Sequence, residues 1–173
     1  MERHLYLLRH ALAEPVSHGE DDFARALTEQ GEQQAARMGR WLWERDDPPE
    51  RILSSPARRT RQTAARVCHA MAIPREQITW VELIYSAHYF DLCALLSQQP
   101  HDLRVLLLIG HNPALEELVD WLTASEGSGS AATRLSPASL ASLTLPLAWS
   151  ELAYGVATLE QVIHVEALPD EQR

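Results

Sequence analysis

The sequence predicts an α/β fold: a single domain built as a three-layer α/β/α sandwich around a mainly parallel central sheet. Short apolar runs alternate with longer stretches of helical spacing, the pattern of a sheet covered by helices on both faces. The run Val105–Ile109 is β-branched residues and leucine without a polar interruption, as a strand buried on both sides requires. A chain of 173 residues, 46% hydrophobic and 23% charged, is long enough for one sizeable core. Neither an internal repeat nor a composition break marks a second unit, so residues 1–173 read as one domain.

Residues 4–8 form the first expected strand, an apolar run that ends abruptly on Arg9-His10. Residues 12–26 are polar and irregular. Thr28 suits an N-cap for a helix over 29–45, with Ala35, Met38 and Leu42 on one face. The paired prolines of DDPPE at 46–50 place a loop there. Ile52-Leu53 is a short second strand. Ser55 is expected to cap a helix over 57–71, with Pro56 in the first helical position. Residues 80–83 are extended or irregular, and 88–98 form a further helix. After the strand at 105–109, Asn112 is expected to cap a helix that starts at Pro113 and runs to about Thr123. A flexible loop over 126–137, built on EGSGSAAT, follows. Residues 139–145 and 158–165 are late strands that form a paired edge. The tryptophans Trp41, Trp43, Trp80, Trp121 and Trp149 are expected to pack in or against the core.

The formal net charge of −9 argues against broad binding of nucleic acid or anionic membrane, since both need a basic face. Any anion site must be local. The chain contains no lysine, and all 15 formal cations are arginine. That excludes a Walker lysine, a Schiff-base lysine and a lysine general base. An oxyanion here is held by arginine, histidine or backbone N–H groups. Cys68 and Cys93 form no disulfide framework, and Cys68 shares helical spacing with Ala64, Val67 and Met71, which makes it core. The run Leu5–Leu8 is too short for a secretory h-region or a membrane span, so a cytoplasmic location is expected. The eight histidines show no metal-ligand spacing, and no cofactor is expected.

In a parallel sheet, ligands bind beyond the carboxyl ends of the strands. Three strand ends carry polar groups: LLRH delivers Arg9 and His10, ILSSPARRTRQT delivers Ser54, Ser55 and an arginine-rich helical turn, and VLLLIGHNP delivers His111 and a helix start. Arginine's planar fork matches phosphate oxygens two at a time and stays charged at any working pH. Helix N-termini add partial positive charge. The set suits a dianion, most obviously a phosphoryl group.

These residues resemble a family. Arg9-His10 after the first strand, the S-P-x-x-R-x-x-Q-T pattern at 55–63 and Gly110-His111-Asn112-Pro113 look like the histidine phosphatase (phosphoglycerate-mutase-like) superfamily. The small size and the Leu27-Thr28-x-x-Gly31 helix start look most like its SixA-type phosphohistidine phosphatase branch. The resemblance covers most of residues 4–145. It implies a phosphoglycerate-mutase-like fold, His10 as the catalytic nucleophile, Arg9 and Arg59 as phosphate ligands, and His111 as the second active-site histidine, also on the phosphate. The family arginine lies three residues after the proline, hence Arg59, while Arg58 and Arg61 read as a solvated face. Where the family has Arg-His-Gly, this chain has Ala11, so the loop after His10 must tolerate an ordinary backbone. The candidate general acid is Glu82 in VELIY, which reads equally well as a surface carboxylate.

The implied reaction is metal-independent phosphate hydrolysis through a covalent phosphohistidine at His10. His10 must be neutral to attack, and two neighbouring guanidiniums are expected to lower its pKa. The implied substrate is phosphohistidine on a protein partner, such as a phosphotransfer domain in signal transduction. The alternatives are a small-molecule phosphomonoesterase of the same mechanism, and a non-catalytic phosphate- or phosphohistidine-binding module.

Overall fold

The computed structural model describes residues 2–16, 18–19, 21–124 and 133–169. In chain order these form β1 (Arg3–Arg9), α1 (Glu29–Trp43), β2 (Arg51–Ser54), α2 (Arg58–Ala70), β3 (Ile78–Trp80), α3 (Leu83–Ser86), α4 (Tyr89–Ser97), β4 (Val105–Gly110), α5 (Ala114–Thr123), β5 (Leu140–Leu145) and β6 (Thr158–Ile163). The strands make one sheet in the order β3–β2–β4–β1–β5–β6. β2 pairs parallel with β3 and β4, and β1 pairs parallel with β4. β5 runs antiparallel to both β1 and β6, so it alone is reversed. The sheet is mixed, with the parallel majority and paired late strands that the sequence predicts.

Side-chain alternation in β1 and β4 builds both outer layers. Tyr6, Leu8, Leu107 and Ile109 pack with Ala35, Met38 and Leu42 of α1 and Ala64, Val67 and Cys68 of α2. Leu5, Leu7, Leu106 and Leu108 pack with Leu92 and Leu96 of α4 and Leu115, Leu118 and Leu122 of α5. All six residues of β4 are buried, which explains its unbroken apolar run. Cys68 is fully buried as expected, and burial pushes its thiol up to about 11. Trp149 is also fully buried, donating its indole N–H to the Leu103 carbonyl at 2.8 Å. Trp43, at the last turn of α1, departs from the expected packing and is 58% exposed.

Thr28 caps α1 as its position predicts: its hydroxyl accepts from Gly31 N–H at 2.9 Å and donates to the Leu12 carbonyl at 3.3 Å. The two proline-based helix starts differ from expectation. α2 begins at Arg58 after an Ala57 that offers no capping side chain. Ser55 stays in the sheet instead, its N–H bonded to the Ile109 carbonyl at 3.1 Å. α5 begins at Ala114. Asn112 does not cap it: its Oδ1 accepts no hydrogen bond among the described residues, while its amide donates to the Glu116 carboxylate at 2.8 Å and the Leu135 carbonyl at 2.9 Å. Most of the expected flexible loop at 126–137 lies outside the described residues. Its last part, 133–137, is tied down: Thr133 N–H bonds Asp120, Leu135 N–H bonds Glu116, and Leu135 is buried.

Gly31 fixes how closely α1 approaches the loop after His10. A Cβ there would sit 2.0 Å from the Leu12 carbonyl oxygen, a backbone atom that cannot swing aside. Gly31→Ala is therefore expected to destabilise by roughly 1–3 kcal/mol, lowering Tm by several degrees in a thermal melt. An unchanged Tm would mean that this contact relaxes freely.

Candidate active site

Strand register sets the site. Arg9 lies opposite Gly110 and Ser54 opposite Ile109, so β1, β4 and β2 end side by side. The next residue of each is His10, His111 and Ser55. His10 N–H bonds the Gly110 carbonyl at 3.1 Å, extending the ladder one step. The His10 and His111 rings then lie 5.3 Å apart between centroids. α2 carries Arg59 inward, with its Nη2 3.4 Å from His111 Nδ1. His111 Nε2 lies 2.9 Å from Ser55 Oγ. The residues at the three predicted strand ends thus converge: His10, His111 and Arg59 meet directly, and Arg9 is near enough for its charge to bear on His10.

The loop after His10 is pinned by helix side chains. Ala11 N–H donates to Thr63 Oγ1 at 3.1 Å, and Leu12 N–H to Gln34 Oε1 at 3.0 Å. Ala11 is not among the residues with positive φ, so the alanine in place of the family glycine is accommodated as expected. Its carbonyl lies 2.8 Å from His10 Nδ1. A carbonyl only accepts, so Nδ1 carries the proton and Nε2 keeps its lone pair. The same logic fixes His111. Arginine only donates, so Nδ1 of His111 is the acceptor and Nε2–H points to Ser55 Oγ.

Both imidazoles are held neutral. His10 is pushed down to about 4, first by burial; the Ala11 carbonyl pulls the other way, and the individually smaller effects of Arg59, Arg9 and Arg25 lower it further. Burial therefore outweighs the guanidiniums that the sequence reading held responsible. His111 falls to about 3, through burial, then His10 and Arg59. Arg59 is 5% exposed, and Arg9 donates through Nη1 to the Leu135 carbonyl at 2.8 Å. The Nε atoms of both arginines are buried without a hydrogen-bond partner among the described residues. Buried donors in this state favour an anion.

Three residues of the site escaped the sequence reading. Asp22, on a 3-10 turn over Asp22–Ala24, accepts from Arg59 Nη1 through its carbonyl at 2.7 Å and from Arg59 Nη2 through Oδ2 at 3.0 Å. Tyr85 donates its hydroxyl to the same Oδ2 at 3.1 Å, and its ring meets that of His111 edge-on. Arg25 Nη2 lies 3.1 Å from Oδ1 of Asp22. Burial alone raises the Asp22 carboxyl, but Arg59, the Tyr85 hydroxyl and Arg25 outweigh it and hold the carboxyl below its usual range. Asp22 and Arg25 fall in the stretch read only as polar and irregular, where their i,i+3 spacing was the one signal. Tyr85 lies three residues after Glu82, the carboxylate chosen from the same segment. Glu82 itself is exposed, caps α3 without a side-chain bond, and has no ion-pair or hydrogen-bond partner for its carboxylate among the described residues. Arg58 and Arg61 are exposed as expected, with Arg61 4.8 Å over the Trp80 ring. Clefts of about 440 and 640 Å³ flank α1 and α2 respectively and are lined mainly by Glu, Gln and Arg. Neither includes a residue of this site. Among the described residues no group of three or more His, Cys, Asp or Glu could hold a metal ion, and no helix is long and apolar enough to cross a membrane.

No curated protein matches the sequence. Residues 5–83 match the model of the histidine phosphatase superfamily (branch 1). The chain is similar to a structure from Nakamurella multipartitia assigned as the phosphohistidine phosphatase SixA: 28% identity, TM-score 0.81, covering 95% of this chain and 96% of that one. It is also similar to a structure from Agrobacterium tumefaciens with the same assignment, at 27% identity and TM-score 0.76, covering 94% and 97%. A protein histidine phosphatase SixA complexed with tungstate shares the fold at 23% identity and TM-score 0.78, covering 94% and 97%. Strand-end geometry, family model and whole-chain similarity agree: the chain has the fold of the SixA structures, and its residues 5–83 are similar to the histidine phosphatase superfamily (branch 1).

Proposed function

We propose that the chain hydrolyses phosphohistidine on a protein partner, with His10 as the nucleophile. The observation that carries this reading is the state of His10: buried, neutral, its Nδ1 proton committed to the Ala11 carbonyl, beside two arginines with buried free donors. The Nε2 lone pair attacks phosphorus in line. The substrate P–N bond breaks, its electron pair stays on the departing imidazole nitrogen, and that nitrogen takes a proton. Water then attacks phosphorus, releasing inorganic phosphate and returning neutral His10. Arg9 and Arg59 balance charge on the equatorial oxygens, where phosphoryl transfer is mostly accelerated. The arriving dianion favours the protonated form of His111, which makes it the third phosphate ligand.

The substrate class is inferred from leaving-group chemistry and from similarity to the two SixA structures over nearly the whole chain. An imidazole leaving from a labile P–N bond needs less acid assistance than an alkoxide, and Glu82 is exposed, its carboxylate without a partner among the described residues. A histidine-phosphorylated phosphotransfer domain in the cytoplasm fits this chemistry. The net charge of −9 disfavours nucleic acid and anionic membrane as partners.

Turnover against phosphohistidine protein, phosphoramidate and alkyl phosphates tests the assignment. Wild type should turn over the P–N substrates well and alkyl phosphates slowly, and Glu82→Gln should cost little on the former. Efficient alkyl phosphate turnover, lost by roughly 10²–10⁴-fold in Glu82→Gln, is the signature of a true general acid. It would make the protein a small-molecule phosphomonoesterase. Tight phosphate binding without turnover of any substrate would leave only a binding module.

The nucleophile assignment also fixes a pH dependence. The folded pKa of His10 lies below the ordinary value of about 6.5, so the neutral form persists as pH falls and is lost only near pH 4. Histidine nitrogen shifts measured by NMR should keep His10 as the neutral Nδ1–H tautomer at pH 5. Titration of His10 near 6.5 would contradict the assignment.

A further inference from the structure

We propose that Asp22 is a carboxylate latch on Arg59, which the substrate's phosphoryl group must displace and which keeps free inorganic phosphate from filling the site. The proposal rests on the reading of this cluster as a phosphoryl site. Arg59 can present its Nη1–Nη2 edge to an anion as a bidentate fork. That edge is already occupied: Nη1 donates to the Asp22 carbonyl at 2.7 Å and Nη2 to Asp22 Oδ2 at 3.0 Å. The second hydrogen of Nη2 faces His111 Nδ1 at 3.4 Å. What remains of the guanidinium is Nε, buried and without a partner among the described residues, and one hydrogen of Nη1. A phosphoryl dianion and the Asp22 carboxylate thus compete for Nη2, while the Asp22 backbone carbonyl stays on Nη1, and their like charges oppose joint occupancy.

The latch is held from its far side as well. Tyr85 donates to Oδ2 at 3.1 Å, Arg25 Nε to Oδ1 at 3.2 Å, and Arg25 Nη1 to the Glu14 carbonyl at 3.0 Å. The turn is itself set by Asp21, whose side chain accepts from Phe23 N–H at 3.0 Å. Yet the Asp22 side chain is 41% accessible, against 6% for Arg59. The carboxylate can therefore swing outward while the arginine stays fixed in the core. Displacing it weakens every anion alike. A substrate that also binds through its leaving group and protein surface can offset this, whereas inorganic phosphate has no such second contact. Asp22 thereby keeps the site largely free of phosphate at concentrations where a substrate with further contacts still binds.

Calorimetric titration of the whole protein with inorganic phosphate at fixed ionic strength tests this. Asp22→Asn keeps the side-chain size and removes the charge, while Asp22→Ala removes the side chain. Both should bind phosphate at least about fivefold more tightly than wild type, the scale expected when one competing ion pair is lost, with thermal melts confirming that they fold. Unchanged or weaker binding in both variants would overturn the latch, because Asp22 would then merely hold Arg59 in position. Arg59→Ala, run alongside, should abolish binding. Phosphate binding that survives Arg59→Ala would reject the phosphoryl-site reading itself, and the latch with it.

Discussion

The register between β1, β4 and β2 is the constraint on which the site depends. β4 is buried along its whole length and pairs in parallel with a neighbour on each side. A slip of one residue in either pairing would turn its leucines to the wrong face. The hydrophobic pattern therefore fixes where each strand stops. Because Arg9 pairs with Gly110 and Ser54 with Ile109, His10 and His111 emerge at one level with Ser55 one step behind them. The apolar core thus sets the geometry of polar groups that contribute nothing to it.

Burial then determines the chemistry. His10 is close-packed at the carboxyl end of an interior strand and ringed by guanidiniums, and both effects disfavour its charged form. A surface histidine would be partly protonated near neutrality and a poorer nucleophile. In a chain of net charge −9 with no lysine, the local positive field comes from arginines whose charge does not titrate away. Arg59 is held by a backbone carbonyl, a carboxylate and an imidazole, which leaves it positioned before any anion arrives. Preorganisation of this kind requires no rearrangement of the arginine itself during the reaction.

The central strands and the histidines and arginines at their ends were legible because each follows from local pattern: an unbroken apolar run, then a polar stop. The helix starts at 55–58 and 112–114 were misplaced because Ser-Pro and Asn-Pro look like caps. In the structure Ser55 is retained by the sheet and by His111, and Asn112 turns to Glu116 and Leu135. Asp22, Arg25 and Tyr85 were not legible. Asp22 and Arg25 come from a short turn and Tyr85 from a four-residue helix, all too short for periodicity, and only tertiary placement brings the Asp–Arg pair against a tyrosine some 60 positions later. Segment 133–137 carries a similar lesson. Its composition is that of a loop, yet Leu135 is buried and its carbonyl anchors Arg9.

The central claim is that His10 Nε2 forms the covalent bond to phosphorus. Trapping the intermediate tests it most directly: phosphoramidate carrying labelled phosphorus is mixed with the protein, the reaction is quenched in alkali, and the label is mapped by peptide. The account predicts an acid-labile, base-stable label on His10 that disappears in His10→Ala. A label that persists in His10→Ala, or one that maps to Ser55, would contradict it.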